Sequence, residues 1–299
     1  MDVNKRIFRI FLIIIGIVAT GCMIFIQYVS LAEPIFFKQY ADLSVNLDDD
    51  DYQYGLSDEL FSFNYFTNAE DKRVVSYVSF PEYPDLHIQP FEDDWGMFGL
   101  DFETEQPDLI GQLYGRYSLR EVLWQIVDLP EESLDNELIL NEAIFYFSDG
   151  SEVKTDIGQI RLSRSASDSE IIEFLSGSSS SDGDSRSNFK VLKPINFSGF
   201  EAHFLDQISQ RVEMKINNQN IYDLEELQLE EGDTLTIVSQ IKPAQTLQER
   251  YTRFNLSLKL IFTDEKDQEY YLTWKESPSF REDFSFTDLY KYTKEQEGL

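Results

Sequence analysis

The sequence has 299 residues and a single cysteine, Cys22, which lies near the N-terminus. The chain beyond Cys22 therefore has no disulfide, no cysteine nucleophile and no thiolate metal site. Secreted eukaryotic domains often carry disulfides. If this chain lies outside a cell, its lack of disulfides favours a bacterial cell surface.

Histidine is almost as scarce, with only His87 and His203. A zinc site built on histidine would need both of them, together with carboxylates from distant parts of the chain. The sequence has no G-x-S-x-G elbow, no P-loop and no G-x-G-x-x-G loop. These absences favour a protein that is not an enzyme, and we predict no catalytic, cofactor-binding or metal-binding residue and no cofactor.

Basic residues are few: 25 Lys and Arg stand against 55 Asp and Glu, which gives a net charge of −30. Such a chain repels the phosphates of DNA and RNA, so nucleic acid is excluded as a partner. The acidic blocks at residues 48–51 and at Asp182 and Asp184 are candidate calcium sites. A solvated surface is the simpler interpretation of both, because the glutamate that completes an EF-hand loop is missing.

An apolar run is present at residues 8–29, where Arg9 is the only charged residue. About 20 apolar residues are needed for a helix to cross the hydrocarbon core of a bilayer. Because the backbone must satisfy its own hydrogen bonds in lipid, the run predicts a transmembrane helix over residues 10–29. The lipid bilayer is thus the first predicted partner.

The charges that flank this run predict its orientation. Three basic residues precede it within residues 1–9, and acidic residues dominate after it. The positive-inside rule then places residues 1–9 in the cytoplasm and the rest of the chain outside, as a single-pass membrane protein. Tyr28, Phe36, Phe37 and Tyr40 are expected to form an aromatic belt at the outer interface.

Two other interpretations of the N-terminus are open. A basic start, an apolar stretch and small residues near Gly21 also fit a cleaved signal peptide. Residues 18–22, Val-Ala-Thr-Gly-Cys, resemble the bacterial lipobox, and this resemblance implies that Cys22 is acylated and becomes the N-terminus. The apolar run continues through Ile26, whereas lipoproteins usually become polar soon after the cysteine. We therefore take the uncleaved anchor as the main prediction, with Cys22 as a candidate lipidation site.

Beyond the anchor, alternating apolar and polar residues predict a mainly β protein. The Ser-, Gly- and Asp-rich stretch at residues 167–188 predicts a linker between two domains. The expected organisation is two tandem antiparallel β-sandwich (Ig-like) domains that follow an acidic stalk. Its parts are a stalk at 30–57, a first sandwich with one short helix at 58–166, the linker at 167–188, a second sandwich at 189–276 and a charged tail at 277–299.

Local signals predict several elements within these domains. Residues 60–66 and 73–80 are expected to pair as a hairpin, and the turn at Asp149-Gly150 predicts another. Gly158 marks a bulge or bend, and residues 217–220 are expected to form a turn. A capping box at residue 118 and apolar residues at helical spacing predict the short helix over 119–127, with a strand containing Trp124 as the alternative. The tail is expected to be frayed or weakly helical.

The sequence as a whole favours a membrane-anchored module on the cell surface that binds or assembles with a protein or glycan partner and does no catalysis. A surface hydrolase or glycosidase that uses carboxylates is the first alternative. It would require two facing carboxylates in a cleft, one of them with a shifted pKa. An accessory sensor subunit of a membrane complex is the second.

Overall fold

The structure is a computed structural model of the chain. It describes residues 2–45, 61–92, 110–128, 137–164, 170–180, 183–204, 207, 209–224, 226–276 and 284–296. Helix α1 spans Asp2–Val29. Within it, Lys5–Val29 is long and apolar enough to cross a membrane, and its large apolar side chains from Ile7 to Ile26 are exposed. The predicted apolar helix is confirmed, and it begins before residue 10.

The rest of the described chain is mainly β-structure, as predicted. The α-helices whose bounds the structure describes after α1 are α2 at Leu247–Arg250 and α3 at Phe286–Gln296, and a 3-10 helix spans Ile221–Asp223. The strands are β1 Ile35–Phe36, β2 Lys38–Val45, β3 Phe61–Asn68, β4 Val75–Ser79, β5 His87–Phe91, β6 Gln112–Tyr114, β7 Tyr117–Asp128, β8 Leu138–Phe147, β9 Glu152–Arg164, β10 Ile172–Ser179, β11 Asp184–Val191, β12 Ile195–Ala202, β13 Val212–Ile216, β14 Gln219–Asn220, β15 Leu227–Leu229, β16 Thr234–Ile241, β17 Thr252–Thr263 and β18 Glu269–Glu276.

The described strands form three sheets. Sheet I has the order β1-β3-β7-β5, with β6 also paired to β7. Sheet II has the order β10-β11-β16-β13-β14. Sheet III has the order β15-β12-β17-β2-β9-β8-β4, with β18 also paired to β17. One apolar core contains side chains from sheet I and from β2, β4, β8 and β9, and a second contains side chains from sheet II and from β12, β15, β17 and β18.

Strand β2 lies in the middle of sheet III, where it pairs in parallel with both β17 and β9. Its register places Gln39 opposite Gly158 and Tyr40 opposite Phe254. Ala41 and Leu43 are buried in this position. The prediction of a hydrated stalk is therefore wrong for residues 35–45, because β1 pairs with β3 and β2 pairs with a strand on each side. The acidic block at 48–51 lies outside the described residues.

The predicted linker also contains strands. Strands β10 and β11 form a hairpin closed by a hydrogen bond from the amide of Ser180 to the carbonyl of Asp184 (2.8 Å). The linker was inferred from the Ser- and Gly-rich composition. That composition is misleading here, because much of β10 faces solvent and an exposed strand face tolerates Ser and Gly. The buried face depends on a few apolar residues, which include Ile172, Phe189 and Val191.

The predicted short helix at 119–127 is wrong, and the strand alternative is right. Residues Val122, Trp124 and Ile126 are buried at every second position of β7. Pairing with β3 on one side and β5 on the other stabilises the extended form over the helical one.

The predicted pairing of residues 60–66 with 73–80 is also wrong. Strand β3 pairs with β1 and β7 in sheet I, whereas β4 pairs with β8 in sheet III. The chain thus crosses between two sheets instead of turning back within one. The β8–β9 hairpin forms as predicted, with its turn at Asp149-Gly150. The turn expected at residues 217–220 is shorter than predicted, because Asn217-Asn218 form the turn and Gln219–Asn220 form β14, which pairs with β13.

The tail was expected to be frayed or weakly helical, and its described part is a helix that packs against the rest of the chain. Residues 286–296 form α3, and its Leu289 and Tyr292 are buried. An 11-residue helix is marginal alone in water, so this burial explains why the element forms.

Candidate functional site at the end of the apolar helix

The last turn of α1 is bound to the β-structure by specific hydrogen bonds. The hydroxyl of Tyr117 donates to the carbonyl of Val29 (2.7 Å), and Val29 is 2% exposed. The side-chain amide of Asn68 donates to the carbonyl of Leu31, and its oxygen accepts from the amide of Leu31, both at 2.9 Å. The chain that leaves α1 is therefore held in one conformation instead of leading into a flexible stalk.

A third apolar core surrounds this point, and we call it the junction. It brings together the end of α1, the segment before β2, sheet I, the start of β17 and helix α3. Phe37 is fully buried there and lies 5.0 Å from Phe66 and 5.4 Å from Tyr251, between ring centroids. The buried junction residues are Leu31, Phe37, Phe66, Tyr117, Tyr251, Leu289 and Tyr292.

Helix α3 closes the junction from the C-terminal side. The ring of Tyr251 stacks on Phe284 (5.3 Å) and contacts Tyr292 (4.1 Å). Burial raises the pKa of Tyr292 above its usual value, so its phenol is neutral at physiological pH. An ion pair between Arg250 and Asp288 (3.0 Å) joins α2 to α3. The junction is thus a packed aromatic core with an ion pair at its edge.

Next to the junction, a network of buried polar side chains lies within the first apolar core. Arg120 donates to the carbonyls of Asp71 and Arg73, and its guanidinium lies 3.8 Å from the carboxylate of Glu92. The hydroxyl of Tyr65 and the amide of Val75 donate to the same carboxylate. Burial raises the pKa of Glu92, against the effect of these partners.

The side chains of Arg120 and Glu92 are 1% and 3% exposed. No substrate reaches them in this state. The network therefore ties together β3, β4, β7 and the segment after β5. We interpret it as structural.

Asp71 anchors the outer end of this network. Its carboxylate accepts hydrogen bonds from the hydroxyl of Thr67 (2.6 Å) and from the backbone and guanidinium of Arg73. Burial disfavours the charged form, but these bonds outweigh it and lower the pKa of Asp71 from 3.8 to about 2. The carboxylate is therefore ionised at every physiological pH.

A cleft of about 380 Å³ lies between β8 and β9 on one side and the end of β12 on the other. Arg161 binds the carboxylates of both Asp42 (2.8 Å) and Glu137. Burial raises the pKa of Asp42 even though Arg161 opposes it, and the hydrogen bond with Arg161 lowers the pKa of Glu137. The cleft is lined by Glu137, Ile139, Gln159, Arg161, Ala202, His203, Phe204 and Gln207.

In the described part of the chain, the hydrolase alternative can be tested at this cleft, where Glu137 is in the lining and Asp42 lies beneath Arg161. Its two carboxylates have pKa values shifted in opposite directions, which is typical of acid–base pairs. Here, however, both are bound to one guanidinium, and Asp42 lies buried beneath it. A glycosidase needs its carboxyl groups to face the substrate from two sides, so the geometry does not support this reaction.

Sheet II carries a groove with a larger volume, about 470 Å³. Arg186, Glu213 and Lys215 line it together with serine side chains, and Lys215 pairs with Glu213 (2.8 Å). The described residues that line this groove include no aromatic ring on which a sugar could stack. Mixed charges of this kind are typical of a solvated surface.

The residues that the sequence singled out are scattered. Cys22 is exposed on α1. His87 begins β5 in sheet I, where its Nδ1 lies 3.0 Å from the carbonyl of Asp85, whereas His203 lies in the cleft. Asp182 lies outside the described residues. Among the residues that the structure does describe, no group of three or more His, Cys, Asp or Glu side chains is arranged to hold a metal ion.

The junction itself was missed in the sequence. Two of its parts lie in segments interpreted as stalk and tail. Phe36 and Phe37, expected in an aromatic belt, are buried, whereas Tyr28 is 59% exposed. The available signal was the concentration of aromatic residues just after the apolar run and again at residues 284–292. Such density is unusual for hydrated segments.

Comparison with known proteins leaves the family open. No family model and no curated protein matches the sequence. Among solved structures, a protein of unknown function from Porphyromonas gingivalis W83 is similar at 8% identity and a TM-score of 0.23, over 74% of this chain and 92% of that chain.

Two further structures are similar at the same low level. The YadV chaperone has 5% identity and a TM-score of 0.23, over 81% of this chain and 99% of that chain. The fibronectin(III)-like modules of Clostridium thermocellum CbhA have 9% identity and a TM-score of 0.16, over 85% of this chain and 97% of that chain. TM-scores this low assign neither a family nor a role to this chain.

Proposed function

We propose that the chain is a membrane-anchored, outward-facing module of the cell surface that binds or assembles with a protein or glycan partner and carries out no catalysis. The observation that carries this proposal is the junction. The β-structure is built around the end of an apolar helix, through the Tyr117–Val29 hydrogen bond and the contacts of Asn68 with Leu31.

The exposed apolar surface of α1 favours an uncleaved anchor over a cleaved signal peptide. Helix α1 runs without a break through Cys22 to Val29. Cleavage before Cys22 would leave Met23, Ile24 and Phe25 at a free N-terminus, and these side chains are strongly exposed here. Such an exposed apolar segment is stable in lipid and unfavourable in water. The orientation with residues 1–9 in the cytoplasm follows from the basic residues there.

We further propose that the β-structure consists of two Ig-like sandwiches. Sheet I faces the β2-β9-β8-β4 part of sheet III over one core, and sheet II faces the β15-β12-β17-β18 part over the other. Strand β2 then belongs to both modules and joins them without a linker. The boundary lies near residue 170, before β10 rather than after it.

The test combines two measurements on the full chain expressed in cells. Mass spectrometry of the mature protein should find an unmodified chain that retains residues 1–29, and alkaline carbonate should leave it in the membrane fraction. A mature N-terminus at or near Cys22, or release by carbonate, would contradict the anchor. Chemical crosslinking of intact cells should yield a discrete larger species, and an uncrosslinked monomer alone would contradict the assembly role.

A further inference from the structure

Helix α3 presents a row of side chains to the end of α1. Phe286, Tyr290 and Lys294 are spaced four residues apart, so they lie along one face of the helix. The ring of Tyr290 lies 6.1 Å from that of Tyr28, and the ammonium group of Lys294 lies 5.1 Å from the same ring. Phe286 stacks on Tyr117 at 5.5 Å, and Tyr117 binds Val29.

The depth of this row in a membrane follows from the length of α1. A helix rises 1.5 Å per residue, so residues 10–29 span roughly 30 Å, the thickness of the hydrocarbon core. Tyr28 then lies where hydrocarbon gives way to headgroups. Because Tyr290 and Lys294 touch Tyr28, they lie at the same level.

The chemistry of the row matches that level. Tyrosine is enriched at membrane interfaces because its ring is apolar and its hydroxyl polar. Lysine places its methylenes against apolar surface and directs its ammonium group to water or phosphate. Lys291 is exposed on the same helix and adds a second positive charge.

Among the residues that the structure describes, few acidic groups lie near the row. Asp288 is bound to Arg250 (3.0 Å) and to Ser285. Glu295 and Glu33 are exposed. In a chain of net charge −30, the two lysines make this face less acidic than the chain as a whole.

We propose that Tyr28 and the row Phe286-Tyr290-Lys294 form a contact surface for the phosphate headgroups of the outer leaflet. Through this surface the β-structure contacts the membrane directly, and the contact fixes the position of the β-structure relative to the bilayer. The inference rests on the proposed membrane anchor, since the depth of the row is measured from α1.

The test uses spin labels on the full chain in phosphatidylcholine bilayers. In a Cys22→Ser background, single cysteines are placed at Thr287 on α3, at Glu173 on β10 and at Phe25 in α1, all three exposed. A nickel chelate attached to lipid headgroups should relax the label at 287 several-fold more strongly than the label at 173. The label at 25 should be as accessible to molecular oxygen as a label in the hydrocarbon core of the bilayer.

A charge-reversal pair tests the lysines. Lys291→Glu with Lys294→Glu should reduce the relaxation at 287 toward the level at 173. Lys190→Glu with Lys266→Glu makes the same change of charge on exposed residues of β11 and of the β17–β18 turn, and it should leave the signal unchanged. The milder variant Lys294→Gln should reduce the signal in part. Thermal unfolding of each variant shows whether the fold is retained.

The outcomes separate the two proposals. If the label at 25 lies in hydrocarbon but 287 and 173 relax alike, the contact surface is refuted and the anchor stands. A water-exposed label at 25 would refute the anchor itself. If 287 relaxes strongly and both charge-reversal pairs leave it unchanged, headgroup contact through the lysines is refuted.

Discussion

Tyr117 donates a 2.7 Å hydrogen bond to the carbonyl of Val29 and so connects β7 to the last turn of the apolar helix. Both residues are buried. The bond satisfies one of the carbonyls that every helix leaves unpaired at its C-terminus. It is a direct contact between the predicted anchor and the sheets.

Replacing this tyrosine tests that contact. Tyr117→Phe retains the ring but leaves a buried carbonyl without this donor, so we expect a loss of about 1–2 kcal/mol in the free energy of unfolding. Tyr77→Phe, at a partly exposed tyrosine of β4, should change it by less than about 0.5 kcal/mol. Urea unfolding of the full chain in detergent micelles measures both. Equal effects would show that the hydrogen bond contributes nothing.

Two glycines offer a matched test of the β2–β9 pairing. Gly158 and Gly150 have nearly the same left-handed φ, +87° and +84°. A Cβ on Gly158 would lie 2.2 Å from the carbonyl oxygen of Gln39, whereas a Cβ on Gly150 meets nothing within 4 Å.

Gly150→Ala should therefore cost about 1–2 kcal/mol, from the strained φ alone. Gly158→Ala should cost at least twice as much, because β2 must move away from β9. Denaturant unfolding of both variants gives the comparison. Similar costs would mean that β2 does not approach β9 as closely as described.

The aromatic centre of the junction can be probed by truncation. Phe37→Ala removes a fully buried ring that packs against Phe66 and Tyr251, so a loss of about 3–5 kcal/mol is expected. Phe174→Ala removes a ring that is 61% exposed, and its effect should stay within about 0.5 kcal/mol. Thermal unfolding in detergent micelles ranks the two variants by their loss of stability. A mild effect at Phe37 would argue against the junction as a core.

Asp71 gives a prediction for acid pH. Its pKa in the folded chain is about 2, below the ordinary 3.8. A lowered pKa adds stability that is complete above the ordinary value and is lost as the pH falls toward 2. Asp71→Asn should therefore be less stable than the natural chain at pH 7, and the difference should shrink between pH 4 and pH 2.

The control for this profile is Asp223→Asn, at an exposed aspartate for which the described part of the chain shows no side-chain hydrogen bond. Its stability should follow the natural chain across the same range. A constant difference between Asp71→Asn and the natural chain from pH 7 to pH 2 would contradict the assigned ionisation.

Elements that depend on local signals were predictable. Strand β16 spans Thr234–Ile241 with alternate residues buried, which is the alternation of apolar and polar residues that predicted a mainly β protein. The turn at Asn217 and Asn218 has both residues at positive φ, which suits asparagine. The bulge at Gly158 also followed from a glycine inside a strand pattern.

Elements that depend on distant partners were not predictable. Nothing within residues 38–45 indicates parallel neighbours more than a hundred residues away, and the acidic block that follows suggested a hydrated stalk. Strand β10 is Ser- and Gly-rich because much of it faces solvent. Helix α3 owes its stability to Leu289 and Tyr292, whose partners come from other parts of the chain. The aromatic residues after the apolar run and at 284–292 indicated that these segments are buried, but nothing in the sequence indicated that the two segments meet in one core.

The orientation of the chain across a membrane is the most direct test of the whole account. In a Cys22→Ser background, single cysteines at Lys5 and at Glu173 are treated in intact cells with a membrane-impermeant maleimide. We predict that residue 173 is labelled in intact cells and that residue 5 is labelled only after lysis. Labelling of residue 5 in intact cells, or of residue 173 only after lysis, would contradict an anchored module that faces outward.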